Sequence, residues 1–114
     1  MTSSKVYSYD QARGRIERYC AYRDRCQFEV EEKLRSFGLS SAEIDKLSTQ
    51  LIETGFLDEK RFVIAFVTGK FRLKKWGRHK ITQNLKEKRI SNELIHAGLN
   101  EIDEEEYYET LQKL

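Results

Sequence analysis

The chain has no proline, only two cysteines, six glycines and a single tryptophan among its 114 residues. Without proline, no residue lacks a backbone donor or blocks a helix interior. With glutamate, lysine, arginine and leucine abundant, the composition favours helix over strand. Cys20 and Cys26 lie six apart with neither a CxxC motif nor a nearby histidine, which excludes the usual zinc spacings. Cys20 is expected as a small core residue and Cys26 as a reduced thiol near a helix boundary. No apolar run approaches the roughly 18 residues of a membrane span, so no membrane partner is expected. The opening Met1-Thr2-Ser3-Ser4-Lys5 carries no apolar signal region, and a cytoplasmic protein is expected. Also missing are a Gly-rich phosphate loop, a nucleophile elbow and a metal-ligand cluster. His79 and His96 stand seventeen apart with no carboxylate motif beside them. Neither an enzyme nor a cofactor is expected.

What is present is a duplicated apolar skeleton. Val30, Leu34, Leu39 and Ile44 recur in spacing as Ile81, Leu85, Ile90 and Ile95, 51 positions later. Ser40 recurs as Ser91, Leu51 as Ile102 and Phe56 as Tyr107. Tyr22-Arg23 recurs as Phe71-Arg72 at a spacing of 49, which predicts two extra residues early in the second copy. A period near fifty residues points to a helical unit used more than once, each copy stacking its apolar face. The expected fold is all-α: tandem three-helix repeats in an elongated, curved helical array. The expected division is 1–57, an N-terminal helix with the first repeat, and 58–114, the second repeat.

Local signals place the elements. Asp10 is expected to cap a first helix to about Asp24, with Ala12, Ile16, Tyr19, Cys20 and Tyr22 inward. A second helix runs from about Phe28 to Phe37 and stops at Gly38, where a left-handed residue costs glycine least. Ser40-Ser41-Ala42-Glu43 has the form of a capping box, opening a third helix with Ile44, Leu47, Leu51 and Ile52 inward and Gly55 at its end. Asp58 can cap a long fourth helix with Phe62, Ala65, Phe66 and Gly69 as its inner stripe. Gly77 marks a break or close approach before a fifth helix, which carries Ile81 and Leu85. Ser91 can cap a short sixth helix with Leu94, Ile95 and Leu99. Asp103 can cap a last one with Tyr107, Tyr108 and Leu111.

Charge is distributed in blocks. Residues 70–89 hold nine Lys or Arg against the single acid Glu87, whereas residues 93–114 hold seven acids against Lys113. The whole chain carries only +2, so a localised partner is implied and little long-range steering. The densest part is Lys70-Phe71-Arg72-Leu73-Lys74-Lys75-Trp76-Gly77-Arg78-His79-Lys80. Such cations neutralise phosphates or an acidic protein groove, and an aromatic can stack on a base. Lys70, Arg72, Lys74, Lys75, Arg78, His79, Lys80, Lys86, Lys88 and Arg89 are the expected contacts. Phe71, Trp76, Gly77, Ile81 and Leu85 are expected to scaffold them, with Trp76 a wedge between helices. Complementing a helix dipole needs two or three cations, not nine. Arg13, Arg15, Arg18, Arg23 and Arg25 form a second basic set, which is expected to be a solvated face. The acidic tail, 101–109, is expected to be exposed and solubilising. Two other readings fit these residues. One is a helical DNA-binding module with Gln83 and Asn84 at base edges. The other is a helical protein-interaction scaffold.

Several residues together resemble the RecX family, bacterial regulators of the RecA recombinase. They are Tyr22-Arg23; Glu29, Lys33 and Leu34; Gly55-Phe56-Leu57-Asp58-Glu59-Lys60-Arg61-Phe62; Arg72; Trp76-Gly77; Lys80-Ile81; Leu85; and Lys88-Arg89-Ile90-Ser91. The similarity covers about residues 12–102. It implies binding in the groove of the RecA–DNA filament, with limits on ATP hydrolysis, strand exchange and coprotease activity in recombination and the SOS response. It also implies a possible contact with single- or double-stranded DNA; a monomer is expected. Family members usually carry a third repeat, and this chain has essentially two. Lys88-Arg89 stands where Lys-Gly is usual, which speaks against a left-handed helix stop there.

Overall fold

A computed structural model describes the backbone of residues 6–113 and the side chains of residues 6–102. Six helices follow in order: α1 (Tyr9–Tyr22), α2 (Gln27–Ser36), α3 (Ser41–Glu53), α4 (Glu59–Arg72), α5 (Arg78–Glu87) and α6 (Asn92–Lys113). No strand occurs among the described residues. The fold is all-α, three helices used twice. Two compact units divide it, Met1–Glu59 and Lys60–Leu114.

In the first unit, α1 starts two residues earlier than expected. Its cap is Ser8 rather than Asp10: Gln11 N donates to Ser8 Oγ at 3.2 Å and Ser8 N to Gln11 Oε1 at 3.0 Å. This reciprocal pair satisfies two free donors at once, which an Asp10 cap would not. The helix ends at Tyr22 because Arg23 is extended (φ −161°, ψ 164°). Ala12, Ile16 and Cys20 point inward, but Tyr22 is 83% exposed. At α3 the expected box forms, with Glu43 N on Ser40 Oγ at 3.2 Å and Ser40 N on Glu43 Oε1 at 3.0 Å. Ile44, Leu47 and Leu51 are buried, whereas Ile52 turns outward, 51% exposed. Around α1, α2 and α3 the core gathers Val30, Leu34, Phe37, Leu39 and Leu57. Cys26 is fully buried at the N-cap of α2.

The second unit repeats this plan in detail. Gly38 (φ +84°) ends α2 with Gly38 N on Arg35 O and Leu39 N on Leu34 O. Arg89 (φ +61°) ends α5 with Arg89 N on Lys86 O and Ile90 N on Leu85 O, each partner 51 positions on. The left-handed stop therefore persists with an arginine, because the two capping bonds to otherwise orphaned carbonyls outweigh the crowding at its Cβ. Ser91 caps α6 through Leu94 N at 3.3 Å. Leu94 stands where Glu43 stands in the first unit, so the reciprocal half of the box is lost.

Burial fixes the register of the first helices. Ala12 and Ile16 correspond to buried Val63 and Val67 at a spacing of 51. The Tyr22-Arg23 match at 49 is thus coincidental, since Tyr22 is exposed while Phe71 is half-buried. The inner stripe of α4 is Phe62, Val63 and Val67; Ala65 faces outward. One close approach sits between α4 and α6: a Cβ on Gly98 would stand 2.7 Å from Val63 Cγ1 and 3.2 Å from Val67 Cγ2. At the matching positions the first unit carries Ala12, Ile16 and Leu47, so the small residue has changed sides. The expected sixth and seventh helices are one, α6, running through Asp103. Asn100-Glu101-Ile102-Asp103-Glu104 contains no Gly or Pro, and a polar residue able to cap does not break a helix that good formers continue. The side chains of Asp103, Tyr107, Tyr108 and Leu111, and the acidic run 104–106, lie outside the described residues.

Candidate binding surface

The basic segment occupies the end of α4, the turn after it and both ends of α5. Lys70 and Arg72 lie in the last turn of α4, where cations complement the carbonyl end of the dipole. Leu73 N donates to Gly69 O at 2.8 Å and Trp76 N to Lys70 O at 3.0 Å. Between these bonds Lys75 takes φ +59°, a left-handed residue that reverses the chain. Gly77 is the N-cap of α5, extended at φ −81° and with no side-chain cap bond. Nothing lies within 4 Å of where its Cβ would be. Gly77 is a break but not a close approach, and it is exposed rather than buried.

Arg78, His79 and Lys80 then form the first turn of α5, which has no acidic residue. Cations at the positive end of a helix are unfavourable by themselves. The uncapped N–H groups and three basic side chains make the spot receptive to an anion. In the first unit the residue matching Lys80 is Glu29, whose carboxylate accepts from Cys26 N at 3.3 Å. The second unit has therefore exchanged an acid for a base at the same helical position.

Trp76 is half-buried and meets Phe66 edge-on at 6.3 Å. Lys70 Nζ stands 4.9 Å and Lys80 Nζ 4.4 Å from its ring, within cation–π range. These contacts bring Lys70 and Lys80 together from two helices. Ile81 and Leu85 are buried beneath α5 and Phe71 is half-buried. Lys74, Lys75, Arg78, His79 and Lys80 are exposed around them, while Lys86, Lys88 and Arg89 cluster at the other end of α5. Leu73, which the charge pattern passed over, is 82% exposed amid the cations. Of the two polar residues considered for base contacts, Asn84 is committed to its own helix, its Nδ2 donating to Lys80 O at 3.0 Å.

Of the second basic set, Arg13, Arg15, Arg18 and Arg23 are exposed, as expected of a solvated face, whereas Arg25 is buried. Arg13 pairs with Glu17 at 3.5 Å and Arg23 with Glu29 at 3.9 Å. Arg15, Arg18 and Arg25 instead line a cleft of about 410 Å³ with Lys33. Arg25 lies 3.6 Å over the Tyr19 ring and its Nε donates to Tyr19 O at 3.0 Å. The corresponding pair in the second unit is Lys70 and Trp76, so cation and ring have traded places. Burial pushes the Tyr19 phenol up in pKa and the neighbouring Arg25 partly offsets this. Among the described residues no group of three His, Cys, Asp or Glu could hold a metal ion. Among the same residues, no helix is long and apolar enough to cross a membrane.

Comparison with known proteins agrees with this architecture. A family model described as RecX, second three-helix domain, matches residues 58–99. The chain is 32% identical over 96 residues to a regulatory protein RecX of Lactobacillus johnsonii, covering 84% of this chain and 35% of the relative. To that of Clostridium tetani it is 29% identical over 107 residues, covering 94% of this chain and 49% of the relative. The crystal structure of RecX from Lactobacillus salivarius superposes with a TM-score of 0.73 at 24% identity, covering 80% of this chain and 59% of that one. The chain spans about a third to a half of the length of these curated relatives. Repeated helical units, their sequence and their fold all converge: the chain belongs to the RecX family.

Proposed function

We propose that this chain is a non-enzymatic regulator of the RecA recombinase, acting in the cytoplasm as a monomer. It docks in the groove of the RecA–DNA filament through the basic surface of its second unit. A protein lodged there opposes subunit rearrangement and addition, and so restrains ATP hydrolysis, strand exchange and coprotease activity. The observation that carries this reading is the cationic first turn of α5 beneath an uncapped N-terminus. It makes the fold less favourable in isolation and more favourable against a negatively charged surface. Exposed Leu73 beside half-buried Trp76 favours a protein groove over bare phosphate, because an apolar contact adds little on a phosphate backbone.

The test is single-stranded-DNA-dependent ATP hydrolysis by RecA, with the chain titrated in after filaments form. Inhibition below stoichiometric amounts, without matching competition for bare DNA, is expected. The triple variant Lys74→Glu, Lys75→Glu, Arg78→Glu is expected to abolish inhibition at unchanged helical content by circular dichroism. Undiminished inhibition by that variant would remove this surface from the mechanism. Direct DNA binding is the second reading, favoured by the same cations. It predicts binding to naked DNA that weakens steeply between low and moderate salt.

A further inference from the structure

The cleft of the first unit has features that neither the core nor the RecA reading uses. We propose that it is a separate site for a nucleoside phosphate, with the phosphate held by Arg15, Arg18 and Arg25 and the base laid on Tyr22. Four cations line the cleft and no carboxylate does. Arg25 is only 8% exposed, yet among the described residues it forms no ion pair. Its Nε is spent on Tyr19 O and its face on the Tyr19 ring, which leaves the terminal N–H groups of the fork for another acceptor. An anion in the cleft would meet the guanidinium groups of Arg15, Arg18 and Arg25 together with Lys33. Arg15 is held at 4.3 Å over Tyr7 and Lys33 at 5.3 Å over Tyr19, so ring contacts pre-organise the cations. Arg forks match phosphate oxygens two at a time.

Tyr22 supplies the second half of the ligand. It lines the same cleft and is 83% exposed, an aromatic face with nothing laid over it at a rim of guanidinium groups. Bases stack on such platforms without regard to sequence. The cleft, about 410 Å³ and open to solvent, has room for a small molecule lying across its surface. An acidic peptide would use the arginines and have no need of the ring. Nor does the repeat plan require these residues. The positions matching Arg15, Arg18, Arg25 and Lys33 in the second unit are Phe66, Gly69, Trp76 and Asn84, none of them a cation.

Two sources offer this chemistry, a free nucleotide and the 5′-phosphorylated end of a single strand. The experiment titrates the ¹⁵N-labelled full chain with adenosine 5′-monophosphate, a 5′-phosphorylated short thymidine oligomer, inorganic phosphate and oligoglutamate, following amide shifts. Shifts clustered at residues 18–25 and at Lys33 are expected with both nucleoside phosphates. The tighter of the two identifies the source. Arg18→Glu, at an exposed position, is expected to weaken binding at least tenfold. Tyr22→Ala is expected to weaken both nucleoside phosphates about fivefold or more and leave inorganic phosphate unchanged. Shifts confined to residues 70–89 would overturn the proposal. So would oligoglutamate binding as tightly, with no dependence on Tyr22.

Discussion

Arg89 sits at φ +61°, where an L side chain crowds its neighbouring carbonyl at a cost of about 1–2 kcal/mol. Glycine removes the crowding and returns part of the gain as chain entropy in the unfolded state. Arg89→Gly is therefore expected to stabilise the protein by roughly 0.5–1 kcal/mol, read as a rise of a few degrees in thermal midpoint. The same change removes a cation from the basic block, so a parallel ATPase titration separates the stop from the surface. Gly98 carries the opposite sign. An alanine there would press on Val63 Cγ1 at 2.7 Å, and overpacking of this kind costs about 1–3 kcal/mol. Because the first unit pairs a small Ala12 with a large Leu47 at the matching positions, Val63→Ala is expected to recover part of that loss. A double-mutant cycle by urea unfolding measures the coupling, and strictly additive effects would disprove the steric account.

Helix ends show most clearly how the two units diverge. Ser40 and Glu43 close a reciprocal box on α3, while Ser91 caps α6 with no acid three residues on. Ser→Ala at a cap costs about 1 kcal/mol, and Ser40→Ala is expected to cost more than Ser91→Ala because it also frees Glu43. Unfolding midpoints of the two single variants check the order. The box at Ser40, the stop at Gly38 and the apolar spacing of 51 were legible in the sequence because each depends on residue type at a fixed offset. The stop at Arg89 was not, since its side chain argues against the backbone that the Leu85 and Lys86 carbonyls impose. Nor was the unbroken α6, where Asp103 offers a cap that its helix-forming neighbours override. The basic surface showed as a charge run, but its arrangement around Trp76 needs residues from two helices. The first-unit cleft was partly legible: Arg15 and Arg18 share a side of α1 at a spacing of three, but Arg25 and Lys33 join them from the following turn and α2, and no spacing rule brings in Lys33.

At the scale of the molecule, charge and strain are concentrated in the second unit. It holds both left-handed non-glycine residues found among the described residues, Lys75 and Arg89, and the helix with cations at its positive end. Stability is seldom uniform, and the second unit is expected to open before the first. Polyanions that occupy the α5 terminus should hold it closed by mass action. Added heparin is expected to raise the midpoint of the second unit more than that of the first, an effect that fades in moderate salt. Trp76 is the only tryptophan in the chain, and its ring lies against Phe66 between Lys70 and Lys80. Emission excited at the red edge of the absorption band therefore comes from one copy of the duplicated unit, whereas far-ultraviolet ellipticity averages over both. Each unlabelled sample thus contains a lit copy and a dark one, and the gap between the two melting curves measures how far a partner acts on the lit copy alone.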